Sequence, residues 1–159
     1  MSDTDLTVEE QATNNITWRH INRVRELLNL MIRIILKRSE LHDQSKLKKP
    51  EVTIFTEFTE KLATSTYGSE EYKNFLAEMK PALDHHYEHN RHHPEHFKGG
   101  VNGMNLIDMI EMLCDWKAAS ERHNDGDIFN SIKINTKRFN LSPQLVDILT
   151  NTANILFTK

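Results

Sequence analysis

Imidazoles and carboxylates dominate the polar chemistry of this chain. Six of its nine histidines fall between residues 85 and 96, within the run DHHYEHNRHHPEH. Imidazole is the commonest metal-ligating side chain, so this density points to a cation; a histidine-rich surface loop would look the same if the segment stood by itself. The adjacent pair His42-Asp43 changes the weighing. An imidazole nitrogen beside a carboxylate oxygen suits zinc, manganese, iron or cobalt, and the carboxylate also suits magnesium. His20 lies upstream of the pair, and His86, His92, His93 and Asp115 lie downstream. Burying any of these groups without a partner is costly. One or two divalent ions at a point of convergence would compensate them all.

Groups so far apart in sequence need helices to bring them together. Glycine (5) and proline (4) are scarce and strand-like alternation is absent, which predicts an all-α fold, a single bundle of about six to seven helices. Residues 1–14 read as a flexible arm and 15–159 as one domain. The first helix is expected near Thr17, a good N-cap, with His20, Val24, Leu27, Leu28, Met31 and Ile35 on its buried stripe. On one unbroken helix His20 and His42 would lie roughly 33 Å apart. A shared site therefore requires a turn near Arg38-Ser39, with a short segment running on to Lys46.

A third helix is expected from Pro50, carrying Ile54, Phe55, Phe58 and Leu62, and then a loop over 64–68. The fourth opens at Ser69. Its stripe of Tyr72, Phe75, Leu76, Met79 and Leu83 continues into His86 and Asn90, with a kink at Pro81. Residues 92–103 read as a loop. Asn105 caps a fifth helix that packs Leu106, Met109, Ile110 and Leu113 inward. Further helices are expected over 128–139 and from Ser142-Pro143, the last burying Leu145, Val146, Ile148, Leu149, Ile155 and Leu156. On the fifth helix Asp108 and Asp115 share a face with Glu111 beside them. Asp108, in the first turn, suits a capping carboxylate; mid-helix Asp115 is the choice for the closing metal ligand.

The order His20, His42-Asp43, Asp115 resembles the H…HD…D pattern of the HD superfamily of metal-dependent phosphohydrolases. HDQSK looks like the HDIGK of the HD-GYP phosphodiesterases, and NRHHPEHFKGG is similar to their HHExxDGxGYP stretch without the GYP. A closer resemblance is to a family of phage and bacterial proteins, domain of unknown function 5662. It rests on HDxSK (residues 42–46), HYxxNRHHPEH (86–96), MNLIDMIEMLCDWKAA (104–119) and SIKINTKRF (131–139), and covers nearly all of the chain after residue 15.

The HD likeness implies an HD-like helical domain that hydrolyses a nucleotide or other phosphate ester. It also implies a second ion held by His86 with His92 or His93. Lys46 is then the natural donor to a substrate phosphate. Asn90, Arg91, Lys117 and Arg122 are further candidates for substrate contact, and Glu95 for a proton donor. Tyr87 would orient ligands from behind. The glutamate that HD nucleotidases place shortly after the HD pair is replaced by Ser45 and Lys46, and Glu51 is the candidate substitute.

A net charge of -3, with 27% charged and 38% hydrophobic residues, fits a globular chain and argues against general nucleic-acid binding. Cys114 is the single cysteine; in its apolar run it is expected to pack as a small hydrophobe, and a reducing cytoplasm is the simplest setting. No run approaches the ~18 apolar residues of a membrane span, and the polar, acidic N-terminus is not a signal peptide. Two rival readings share the ligands: an HD-type di-iron oxygenase, and a non-enzymatic phage nucleotide-binding or regulatory protein. A ferritin-like carboxylate site is disfavoured, because no glutamate has a histidine three residues after it. HD-type domains often pair, which leaves a homodimer open.

Overall fold

The computed structural model describes residues 6–64, 70–122 and 126–158, apart from the side chains at 60, 62–64, 72 and 73. Among the described residues seven α-helices follow one another: α1 (Val8–Leu41), α2 (Glu51–Thr64), α3 (Glu70–Glu78), α4 (Lys80–His89), α5 (Leu106–Ser120), α6 (Ile128–Phe139) and α7 (Pro143–Phe157). Short 3-10 turns occur at Gln44–Leu47, Pro94–His96 and Gly100–Gly103. There is no strand among the described residues, so the all-α expectation of six to seven helices is met with seven. The chain forms two compact units, Met1–Glu40 and Leu41–Lys159. Of the loop expected over 64–68, Thr64 instead ends α2; the rest of it, the cap at Ser69 and the side chains of Leu62 and Tyr72 lie outside the described residues.

The first unit departs from expectation in three ways. Helix α1 begins at Val8 rather than near Thr17, so residues 8–14 of the expected arm are helical. The reason is a capping box: the Glu10 amide donates to Thr7 Oγ1 at 3.2 Å and the Thr7 amide donates to Glu10 Oε2 at 2.7 Å. Nor does the chain turn at Arg38-Ser39. No glycine or proline interrupts α1, and the Ser39 hydroxyl donates back to the Leu36 carbonyl at 2.7 Å instead of capping a new helix. Finally, α1 buries no residue: Val24, Leu27, Leu28 and Met31 are exposed and Ile35 is half-buried.

In the second unit α5, α6 and α7 close around Met112, Leu113, Trp116, Ile132, Leu149 and Ala153. The Trp116 and Phe139 rings stack 6.3 Å apart. Each helix starts on a side-chain cap. Asn105 Oδ1 accepts from the amides of Ile107 and Asp108, Asp127 from those of Phe129 and Asn130, and Ser142 Oγ from that of Leu145. The core-facing side of α5 is Met112, Leu113 and Trp116. That registration leaves Leu106 and Cys114 exposed, against expectation. On α7 likewise Ile148, Ile155 and Leu156 face outward.

Helices α2 and α4 pack on each other and on the 44–47 turn, with Phe58 and Ala82 buried. Helix α2 starts at Glu51, one residue after Pro50. The kink expected at Pro81 is a break between α3 and α4: proline has no amide to donate, and the amides of Ala82 and Leu83 both turn to the Met79 carbonyl, at 2.9 and 3.1 Å.

Candidate metal centre

The His42-Asp43 pair follows directly on the end of α1. Asp43 adopts a left-handed backbone (φ 55°, ψ 16°) and leads into the 44–47 turn. Helix α4 presents His86, the loop after it presents His92 and His93, and α5 presents Glu111 and Asp115. Two overlapping groups result. Asp43, His86, His92 and His93 form one, and His42, Asp43, His92 and Asp115 the other; within each group the ligating atoms all lie within 4.8 Å of one another. Asp43 and His92 belong to both.

The spacing of the donors is informative. His86 Nε2 and His92 Nε2 lie 3.3 and 3.5 Å from Asp43 Oδ1. His42 Nε2 lies 3.5 Å from Asp43 Oδ2 and 3.7 Å from Asp115 Oδ1. Donors held ~2.1 Å from one ion at tetrahedral angles are separated by about 3.4 Å. His86 Nε2 also lies 2.9 Å from His93 Nε2, a distance that one shared proton or one shared cation satisfies.

Two glutamates set the imidazoles from behind. Glu51 is fully buried and accepts from His85 Nδ1 at 2.6 Å and His86 Nδ1 at 2.9 Å. Glu111 Oε1 accepts from His42 Nδ1 at 2.9 Å and lies 3.1 Å from His92 Nδ1. An ionised carboxylate only accepts, so it places the proton of His86 on Nδ1 and leaves the Nε2 lone pair facing the cluster. Asn90 adds bonds from its amide nitrogen to the His86 carbonyl at 2.8 Å and the Ser45 hydroxyl at 2.7 Å.

The charges divide the cluster in two. On one side Asp115 and Glu111 hold His42 protonated, pushing its pKa up to about 10. On the other, burial and the neighbouring His92 and His86 drive His93 down to about 3, and burial lowers His86 too. Burial would raise Asp43 and Asp115, but Lys46 beside the first and His42 beside the second keep both carboxyls below their usual range. Glu51 is likewise held low, against burial, by its bonds from His85, Ser45 and His86.

Three buried atoms carry no hydrogen bond: Asp43 Oδ1 and both ring nitrogens of His92. Each such group costs about 1–3 kcal/mol when left unsatisfied. All belong to the residues shared by the two groups. Nitrogen-rich donors with carboxylates, at these separations, fit a divalent transition ion.

The remaining sequence candidates divide. Lys46 Nζ donates to Asp43 Oδ2 at 2.6 Å at the half-exposed edge of the cluster. Tyr87 packs its ring 5.1 Å from that of His93, and burial raises its phenol pKa. Arg91 is held by both oxygens of Asp108, at 3.3 and 3.2 Å, and Asp108 completes the α5 capping box. Glu95 accepts from Arg138 at 2.7 Å. Lys117 pairs with Glu121 at 2.9 Å, and Arg122 is exposed beyond the end of α5. His20 is a correction: it is exposed on α1, whose unbroken course carries the chain roughly 30 Å further before His42 is reached. Glu111 was missed as a positioning group. Its signal was present in the i, i+3, i+7 spacing of Asp108, Glu111 and Asp115.

Fold and site together define an all-helical protein with a partly buried histidine–carboxylate cluster. The chain belongs to a family of unknown function (DUF5662), whose profile matches residues 9–155. No curated protein and no solved structure matches it.

Proposed function

We propose that this cluster holds one or two divalent metal ions and that the protein is a metal-dependent phosphohydrolase acting on a nucleotide or related phosphate ester. The observation that carries the reading is a pair of buried donors without a hydrogen bond, Asp43 Oδ1 and His92 Nε2, that face each other at 3.5 Å in the two residues common to both ligand groups. The His42-Asp43…Asp115 order adds the likeness to HD phosphohydrolases, weakened by the position of His20. A divalent ion, when bound, brings the pKa of its water toward neutrality and neutralises phosphoryl charge.

The chain supplies the rest. Asp43, shared by both groups, would be the ligand common to two ions if both were bound. Glu51 and Glu111 fix the imidazoles. Lys46 spends one N–H on Asp43 and has two more for a phosphoryl oxygen. With Cys114 as a lone thiol, a reducing cytoplasm suits the protein.

The test is elemental analysis of protein purified without chelator, followed by a phosphate-release screen over nucleotides. Wild type is expected to carry at least stoichiometric metal and to release phosphate. Asp43→Asn and His92→Ala are expected to lose both while retaining helical circular dichroism. Full turnover in either variant refutes the assignment. Coloured, iron-loaded protein that releases no phosphate moves the reading to an oxygenase, and tight nucleotide binding without product moves it to a regulatory binder.

A further inference from the structure

Helix α1 carries a surface that its own unit leaves uncovered. Eight of the ten residues from Leu27 to Leu36 are apolar, yet none is buried; Leu28 is 54% exposed and Ile32 52%. A helix apolar nearly all round is normally enclosed, and contiguous exposed apolar surface on this scale marks an interaction site. No described helix is long and apolar enough to cross a membrane.

We infer that α1 pairs with α1 of a second copy of this chain, antiparallel, along the seam Ile21, Val24, Leu28, Met31 and Ile35. These residues recur at spacings of three and four, the rhythm of a helix–helix seam. The seam is also nearly palindromic. Ile21 and Ile35 stand seven residues to either side of Leu28, and Val24 and Met31 stand four before and three after. A two-fold contact needs such self-complementarity, because residue i must meet j while j meets i. The antiparallel pair sets Ile21 against Ile35 and Val24 against Met31, with Leu28 against its own copy.

Helix dipole and area support the same partner. Arg19, Arg23, Glu26, Arg33, Lys37 and Glu40 all lie more than about 100° around the helix from the seam, and Arg25 and Arg38 flank it, where long stems can lie on apolar surface while the charged heads stay in water. The antiparallel pair opposes the helix dipoles, which a parallel pair would align. Counting Leu27, Ile32 and Ile34 on the flanks, the apolar surface available is on the order of 600 Å² per copy, near the ~800 Å² per partner of a stable interface.

Sedimentation equilibrium of the full chain across the micromolar range tests this independently of any metal or activity. Wild type is expected as a dimer. Leu28→Glu sets like charges against each other and should weaken dimerisation by about 100-fold or more with helicity kept. Mixing Leu28→Glu with Leu28→Lys chains should restore the dimer, which a merely unfolded variant would not do. For orientation, Ile21→Cys and Ile35→Cys chains, both carrying Cys114→Ser, should oxidise to the mixed disulfide dimer. A wild-type monomer throughout the range, a dimer unaffected by Leu28→Glu, or preferential Ile21→Cys self-coupling overturns the proposal. So does a monomer that binds zwitterionic lipid vesicles through Leu28, since a membrane would then be the partner.

Discussion

Removing the Glu111 carboxylate should loosen metal without dismantling the fold. Its Oε1 lies 2.9 Å from His42 Nδ1 and 3.1 Å from His92 Nδ1, so one oxygen restrains an imidazole unique to one ligand group and an imidazole common to both. Carboxylates in this position are worth about 10–100-fold in metal affinity, or roughly 1.4–2.7 kcal/mol. Glu111→Gln keeps an acceptor but loses the charge, and should fall near the 10-fold end. Glu111→Ala loses both and should approach 100-fold. Competition against a chromophoric chelator with manganese or zinc reads the affinity directly. NMR titration of the metal-stripped protein reads the cause: His42, held up to about 10 by Asp115 and Glu111, should titrate at lower pH in both variants. Unchanged affinity with an unchanged His42 titration would refute the positioning role.

The same imidazole makes stability depend on pH. Its folded pKa of about 10 lies above the ordinary imidazole value of 6.5, so in stripped protein its contribution is full below pH 6.5 and is lost as pH rises toward 10. The melting temperature of wild type minus that of His42→Ala should shrink over this window; a difference that grows contradicts the assignment. Asp108→Ala removes a fully buried carboxylate that accepts from the Asn105 amide and from Arg91. It should cost roughly 1–3 kcal/mol in urea unfolding with metal content intact, and loss of metal would show that the cap and the cluster are not separable. Gly103→Ala would place a Cβ 2.7 Å from the Phe97 Cβ. Phe97 lies 4.8 Å beneath the Arg91 guanidinium, and overpacking there should destabilise by about 1–3 kcal/mol; an unchanged melting temperature would mean that the loop yields freely.

What the sequence revealed followed the range of the forces involved. The caps at Asn105 and Ser142 were legible because a side chain and an amide two or three residues on decide them. So was the gathering of His42, Asp43, His86, His92, His93 and Asp115, since their residue types share one chemistry. The length of α1 was misjudged at both ends: Thr7 and Glu10 cap it earlier than Thr17 could, and a serine alone does not stop a helix. Burial misled on α5 and α7. An apolar residue on a helix has a preferred side only once its neighbours are known, and Leu106 and Ile155 stay largely exposed. The pairing of Glu51 with two imidazoles 34 and 35 residues away is tertiary and had no local signature.

The left-handed backbone at Asp43 bears on which residues this position admits. Asparagine, aspartate and glycine tolerate that conformation, whereas other L-residues pay ~1–2 kcal/mol for it. The electrostatics beside Lys46 and the imidazoles ask for a carboxylate, which narrows the choice to aspartate and glutamate. Aspartate alone meets both demands. Asparagine would preserve the corner while discarding its charge, glutamate would do the reverse, and alanine would fail twice, so damage measured in an alanine variant would mix a distorted chain path with a missing oxygen.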